Sequence, residues 1–137
     1  MEQYVEFGVG SERYAVRIQD VNEIIKVQKI TPLPNIDPFI KGVINLRGKL
    51  VPVVTIHSVF GFPEPEYSKS TRIMVIHYSD EAIGIVVDHV NKVTTYENIQ
   101  SPPEQIKGVH GSFFSGIGVA ESGLIGLLKL EQILLKN

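Results

Sequence analysis

The sequence predicts an all-β fold in which two small five-stranded barrels pack against each other. Short segments of alternating apolar and polar residues recur along the chain, and turns rich in Gly, Pro or acidic residues separate them. The two halves also resemble each other. A shift of 69 residues places Val21 and Asn22 on Val90 and Asn91, and a shift of 74 places Gly42 on Gly116. Because closing five antiparallel strands removes exposed sheet edges, we expect each repeat to form a barrel, with apolar residues between the two.

The first repeat is expected to occupy about residues 1–62. Strands are predicted over 3–9 and 13–18, joined by a turn at residues 10–12, and a β-branched strand over 24–27 follows a turn capped by Asp20. Three prolines indicate an ordered connector over 31–38. A hairpin over 42–54 and a short helix over 56–60 complete the repeat, and Gly61 ends the helix.

The second repeat is expected to occupy about residues 70–137. Strands are predicted over 72–78, 82–88 and 90–96, and a second proline-containing connector begins at residue 101. A hairpin over 113–128 follows. Leu130, Ile133 and Leu134 recur at helical spacing, which predicts a closing helix over 130–136.

The hairpin over 42–54 is the most informative stretch. Gly48 and Lys49 are predicted to form a two-residue type II′ turn, because glycine takes a positive φ at low cost. This register pairs Arg47 with Leu50. Because side chains alternate along a strand, one face of the hairpin is part polar and part apolar: Asn45, Arg47, Leu50, Pro52 and Val54. Such a face is typical of a protein interface or of an ordinary surface hairpin. The opposite face is aliphatic and is expected in the core: Ile44, Leu46, Val51 and Val53.

Composition narrows the functional classes. The chain has 137 residues, is 43% hydrophobic and carries a net charge of −2, which argues against binding nucleic acid through charge. The absence of cysteine excludes disulfides and thiolate metal sites. With neither an apolar signal core nor a run long enough to cross a membrane, a soluble intracellular protein is expected.

No motif for catalysis or a cofactor stands out. The four histidines are far apart in sequence, so none has the local spacing of a metal site, and no nucleophile elbow or phosphate loop is present. The best catalytic candidate is the pair Asp88 and His89, which would make the protein a small hydrolase. Two such residues leaving a strand into solvent are the simpler interpretation, and a binding module without catalytic residues, metal or cofactor is favoured.

Residues 39–48, with the sequence FIKGVINLRG, followed by VPVV at 51–54, resemble the signature of the CheW family of chemotaxis coupling proteins. Segments 21–24, 84–90, 116–118 and 130–134 resemble the same family, so the likeness covers essentially the whole chain. The family fold is two five-stranded, SH3-like barrels, which agrees with the repeat.

The resemblance implies an adaptor and not an enzyme. Members of the family bridge the cytoplasmic hairpin tip of chemoreceptors to the regulatory domain of the histidine kinase CheA, without nucleic acid or direct membrane insertion. The family often has an acidic residue where this chain has Thr55, which puts in doubt any ion pair built there. Glycines Gly42 and Gly48 are expected to be structural turn residues, and the residues expected at partner surfaces are Val21, Glu23, Asn45, Arg47 and Leu50.

Two alternatives accompany this interpretation. The same domain occurs within the kinase and in scaffold proteins fused to a receiver domain. The start of the chain just before the first strand and its end after the closing helix favour a stand-alone coupler, located in the cytoplasm at membrane-associated receptor arrays. Arg47 has an alternative role as well, as an internal bridge between the barrels through an acidic residue such as Glu121, its neighbour in the repeat alignment.

Overall fold

The structure, a computed structural model, describes residues 1–34, 39–106 and 108–134. The end of the predicted connector over 31–38 and the end of the predicted helix over 130–136 lie outside these residues. Two single 3-10 turns, Ile18–Asp20 and Gly111–Phe113, accompany the other elements. The strands and helices are β1 (Tyr4–Val9), β2 (Glu12–Arg17), β3 (Val21–Lys26), β4 (Ile40–Leu46), β5 (Lys49–Thr55), α1 (Ile56–Phe60), β6 (Arg72–Tyr78), β7 (Glu81–Val87), β8 (His89–Thr94), β9 (Ile99–Gln100), β10 (Gln105–Ile106), β11 (Val109–His110), β12 (Phe114–Ala120), β13 (Gly123–Leu128) and α2 (Leu130–Leu134).

The strands form two main sheets with the same internal order. The first sheet runs β8-β1-β2-β13-β12-β9, and the second runs β3-β6-β7-β5-β4. The repeat alignment explains this equivalence, because the shift of 74 residues carries β4 onto β12 and α1 onto α2, residue for residue. The all-β fold class and the internal duplication are therefore confirmed.

Each sheet curls until its two edges meet. In the second sheet, the chain that follows β3 reaches the far edge strand β4, where Thr31 and Val43 exchange two backbone hydrogen bonds of 2.8 and 2.9 Å. In the first sheet, β9 pairs with β12 in the same way, through Gln100 opposite Ile117. The shift of 69 residues places Thr31 on Gln100, and the shift of 74 places Val43 on Ile117. The two closing pairs are therefore equivalent in the repeat, and both sheets close into barrels through the same contact.

Each sheet takes strands from both halves of the chain. β1 and β2 from the first half join β8, β12 and β13 from the second half, while β6 and β7 cross to the sheet that contains β3, β4 and β5. The expectation that each repeat, divided near residues 62 and 70, forms a barrel of its own is therefore wrong. Neither half supplies all the strands of one sheet.

Strand alternation produces three apolar layers. On β6, Ile73 and Val75 point into the second barrel, while Met74 and Ile76 point toward the first barrel. The layer between the barrels is the largest and contains fully buried residues of both sheets, among them Phe7 and Phe114. The predicted aliphatic face of the hairpin is confirmed for Ile44, Val51 and Val53, which are buried, and Leu46 is half-buried against them.

Gly42 is not a turn residue, contrary to expectation. It lies inside β4, at an irregularity in the pairing with β5, where the closing segment crosses the strand. A Cβ added at Gly42 would lie 2.2 Å from the backbone oxygen of Thr31. The position requires glycine because another backbone approaches closely, and barrel closure depends on that approach.

We expect Gly42→Ala to lower the free energy of unfolding by about 1–3 kcal/mol, since the obstructing atom belongs to backbone and cannot rotate away. Urea denaturation measures this loss. Gly10→Ala is the matched comparison, because Gly10 has open space around its Cβ position, so only the strain of its φ of +61° contributes. An equal or smaller loss for Gly42→Ala would contradict the close approach.

The first barrel contains a buried carboxylate. Glu6 on β1 is 2% exposed and accepts hydrogen bonds from Tyr96 Oη at 2.7 Å and from Asn91 Nδ2 at 2.8 Å. Arg13 on β2 adds two further hydrogen bonds, at 3.2 and 3.3 Å. A single side chain therefore joins β1, β2, β8 and the segment that follows β8. The equivalent position of the second barrel is Val75, so this polar network distinguishes the two repeats.

The pKa of Glu6 predicts how stability responds to acid. Burial by itself would raise this pKa, but the hydrogen bonds from Asn91, Tyr96 and Arg13 outweigh burial and hold it below its ordinary value of 4.5. A lowered folded-state pKa contributes stability that is present above the unfolded-state pKa and is lost as the pH falls through the folded-state pKa.

We therefore expect the free energy of unfolding to fall more steeply below about pH 4.5 in the parent chain than in Glu6→Gln, which has no carboxylate to protonate. Urea denaturation from about pH 7 to about pH 3 measures both curves. If the two curves ran parallel through the acid range, the lowered pKa of Glu6 in the folded state would be contradicted.

Candidate protein-binding surface

The β4–β5 hairpin ends in a turn one residue earlier than predicted. Ile44 pairs with Val51, Asn45 with Leu50, and the two loop residues are Arg47 and Gly48. Both have positive φ, 54° and 86°, as a type I′ turn requires. The predicted type II′ turn at Gly48 and Lys49, with Arg47 facing Leu50, is wrong. The pairing differs by two positions, so every side chain stays on its predicted face.

Asn45 stabilises this turn. Its Oδ1 accepts a 2.8 Å hydrogen bond from the backbone N of Gly48, and its carbonyl oxygen accepts a 2.9 Å hydrogen bond from Gln28 Nε2. The first bond holds the turn closed, and the second attaches the hairpin to the chain that follows β3. Together they fix the place from which the Arg47 side chain leaves the backbone.

Arg47 forms a two-point ion pair with Glu23 on β3. Its Nη1 lies 3.3 Å from Glu23 Oε1, and its Nη2 is hydrogen-bonded to Oε2. The pair joins β3 to the β4–β5 hairpin, the two edges of the second sheet that meet when the barrel closes. The alternative bridge from Arg47 to Glu121 of the other repeat is wrong, because the guanidinium turns to its own barrel.

The ion pair lies at the surface. The Arg47 side chain is 70% exposed and the Glu23 side chain 31% exposed. The hydrogen bonds from Arg47 lower the pKa of Glu23, and those to Glu23 raise the pKa of Arg47, so both groups stay charged at neutral pH. Beside them on the hairpin, Leu50 is 66% exposed opposite Asn45. The hairpin therefore presents an oriented cation and an uncovered apolar side chain together.

Val21 lies apart from this group. The pairing of β3 with β6 is irregular between Val21 and Glu23, which interrupts the alternation of their side chains. Val21 is half-buried and packs against the layer between the barrels. The structure thus places Glu23, Asn45, Arg47 and Leu50 at the hairpin end of the second barrel and Val21 beside the apolar layer between the barrels.

Residues 3–136 match the family model described as CheW-like domain. The chain belongs to the CheW-like family.

Comparisons with known proteins agree with this membership. The CheW-like chain is 34% identical to the chemotaxis protein CheW of Bacillus subtilis (strain 168), over 99% of this chain and 88% of the relative. It is 31% identical to CheW of Klebsiella aerogenes, over 97% of this chain and 81% of the relative. The crystal structure of the scaffolding protein TtCheW from Thermoanaerobacter tengcongensis superimposes with a TM-score of 0.88 at 32% identity, covering 96% of this chain and 86% of that one.

The CheW-like chain buries Thr55, the residue expected from the sequence to depart from the family pattern. Thr55 ends β5 and is 1% exposed, and its Oγ1 has no hydrogen-bond partner among the described residues. A surface ion pair at this position is therefore not available to the chain.

The contacts of Asp88 and His89 do not support the alternative in which these two residues form a catalytic pair. The His89 ring lies against Gly8, where an added Cβ would come within 2.3 Å of its Cε1. Asp88 meets His57 of α1, with Oδ1 at 3.0 Å from Nε2. The sequence offered no signal for this partner, because 31 residues separate the two.

The described part of the chain contains neither a metal-binding cluster nor a helix that could span a membrane. Within residues 1–34, 39–106 and 108–134, no group of three or more acidic or histidine side chains is arranged to hold a metal ion. Neither α1 nor α2 has the length or apolar character that crossing a membrane requires, and no other helix in those residues does.

Proposed function

We propose that this chain is a non-enzymatic adaptor that couples the cytoplasmic tips of chemoreceptors to the histidine kinase CheA in bacterial chemotaxis. The observation that carries the proposal is the match to the CheW-like family over residues 3–136, with characterised relatives named as chemotaxis proteins along almost the whole chain. The adaptor works in the cytoplasm at receptor arrays. Its partners are the receptor hairpin tip and the regulatory domain of the kinase.

Geometry supports a role for the hairpin end of the second barrel in binding a partner. A guanidinium carries five N–H donors, and Glu23 uses two of those of Arg47, so three remain for a partner. Arginine is also among the residues that most often dominate interface energies. Because Glu23 already restrains the Arg47 side chain, little rotamer entropy is lost when a partner binds.

Leu50 and Asn45 complete this surface in our proposal. Leu50 supplies exposed apolar area that a partner removes from water, which is the main favourable term in association. Asn45 acts through the turn, since its side chain is already bonded to Gly48. Val21 belongs to a second contact in our proposal, made with an amphipathic receptor helix, because it is only partly buried beside the apolar layer between the barrels.

Three-component co-purification tests the proposal. A receptor cytoplasmic fragment and a CheA regulatory domain from the same bacterium are mixed with and without this chain, and the tagged receptor is recovered. We expect the kinase domain to be recovered with the receptor only when this chain is present. If the recovered receptor carried no kinase domain even when this chain was present, with the folded state of the chain verified by circular dichroism, the adaptor function would be contradicted.

A further inference from the structure

A pocket away from the hairpin end is lined by groups that the adaptor function does not use. It has a volume of about 350 Å³, within the range of small-ligand sites, and lies between the β1–β2 turn, the chain that follows α1, and the junction of β7 and β8. Its walls are mainly apolar. Val9, Phe62, Pro63 and Pro65 form them, and the ionisable residues in the lining are Glu12, His57 and Asp88.

Asp88 is held rigidly but keeps free acceptor capacity. Oδ2 accepts a 2.6 Å hydrogen bond from the backbone N of Gly10, and Oδ1 lies 3.0 Å from His57 Nε2. A carboxylate offers about four acceptor positions, so about two remain. Its side chain is 27% exposed, which leaves these positions within reach of a ligand.

His57 holds Asp88 in place from its buried side. It is 3% exposed, and its Nε2 lies 3.0 Å from Asp88 Oδ1. A carboxylate that is already fixed by its partners loses little conformational freedom when a ligand binds, which favours binding.

The charged residues that line the pocket indicate that its ligand is positively charged. Glu12 and Asp88 are carboxylates, and no lysine or arginine is among the described residues that line the pocket. The nearest basic residue along the chain, Arg13, is bonded to Glu6 and to Ser122 instead. A ligand that donates hydrogen bonds, carries positive charge and has an apolar body complements the two carboxylates and the apolar walls.

We propose that this pocket is a binding site for an alkyl guanidinium or alkylammonium group, from a free small cation or from an arginine or lysine side chain of a partner protein. The charged head lies between Asp88 and Glu12, beside His57, and the alkyl body packs on Phe62 and the two prolines. The site is separate from the hairpin end of the second barrel.

Titration with n-butylguanidinium, followed by the amide shift of Gly10 in two-dimensional ¹H–¹⁵N NMR spectra, tests the site. Gly10 reports binding because its N–H donates to Asp88. N-butylurea is the control ligand, since it has nearly the same shape and no charge. We expect saturable shifts for the cation and binding weaker by about tenfold or more for the urea, as expected when a charge-assisted hydrogen bond is lost.

Glu12→Gln removes one carboxylate from the pocket, and Glu81→Gln is its matched control at the equivalent position of the other repeat. We expect about tenfold weaker n-butylguanidinium binding for Glu12→Gln and no change for Glu81→Gln. Asp88→Asn, with its folding verified by its NMR spectrum, is expected to weaken n-butylguanidinium binding further than Glu12→Gln does. Absence of saturable shifts, equal affinity for the urea, or unchanged affinity of Glu12→Gln would each overturn the proposal.

Receptor-dependent kinase activity of Glu12→Gln then identifies the source of the cation. Reduced coupling with normal folding assigns the pocket to a partner side chain, and unchanged coupling assigns it to a free small cation. The NMR titration does not depend on the adaptor function, so the two proposals fail separately.

Discussion

Replacing Glu6 with alanine should lower the free energy of unfolding by about 3 kcal/mol or more, the largest loss of stability that we expect from a single polar residue. The carboxylate is 2% exposed, and its removal leaves the hydroxyl of Tyr96, itself 7% exposed, without its acceptor. Asn91 and Arg13 lose partners at the same time. Urea denaturation at neutral pH measures the change.

Glu2→Ala is the control, because Glu2 precedes β1 and is exposed. Its effect should stay within about 0.5 kcal/mol, as for most surface substitutions. If Glu6→Ala lost no more than Glu2→Ala, the buried network would not stabilise the first barrel.

Replacing Arg47 with alanine should weaken binding to the partner of the hairpin surface by about 2 kcal/mol, roughly 30-fold, while the thermal midpoint changes little. The small effect on folding follows from exposure, because the ion pair with Glu23 lies at the surface, where water and salt screen the attraction between the two charges. The large effect on binding follows from the guanidinium, which can pair with a carboxylate through two parallel hydrogen bonds. Titration calorimetry with the kinase regulatory domain and with the receptor fragment measures both affinities.

Lys49→Ala is the matched control, since it removes a neighbouring exposed cation from the same hairpin. Arg47→Lys keeps the charge without the planar, two-point geometry and should recover only part of the affinity. A large fall in the thermal midpoint of Arg47→Ala with both affinities unchanged would show that the residue supports the fold instead.

The repeat and the faces of the strands were predictable because both depend on periodicity. The two shifts align β4 with β12 and α1 with α2, and alternation on the hairpin places Ile44, Val51 and Val53 in the core. Periodicity does not show which strands pair at long range. The exchange of strands between the halves was therefore not predicted, and neither were the two-residue strands and 3-10 turns.

The turn and the buried carboxylate show where local rules fail. Both Gly48-Lys49 and Arg47-Gly48 place a glycine at a position of positive φ, and the hydrogen bond from Gly48 to Asn45 selects the second. Glu6 lies on the opposite side of β1 from Val5 and Phe7, and alternation alone does not show whether that side faces water or a core. β1 is buried on both faces because the barrel interior covers one and the second barrel covers the other, so Glu6 points inward.

The candidate site was predictable only in part. Motif resemblance gave Glu23 and Arg47 as members of a partner surface, but their mutual ion pair joins residues 24 positions apart and follows from barrel closure. The sequence did not indicate that Gln28 bonds to the hairpin, since a polar residue after a β-branched run is typical of a loop. His57 and Asp88 meet only because α1 packs beside the junction of β7 and β8.

Receptor control of kinase activity tests the central claim most directly. CheA autophosphorylation is measured with receptor fragments in ordered assemblies, with and without this chain, and with attractant present or absent. The adaptor function predicts that the receptor and its attractant change the kinase rate only when the chain is present, and that Arg47→Ala reduces this control while Lys49→Ala does not. Equal control by the receptor with and without the chain would contradict it.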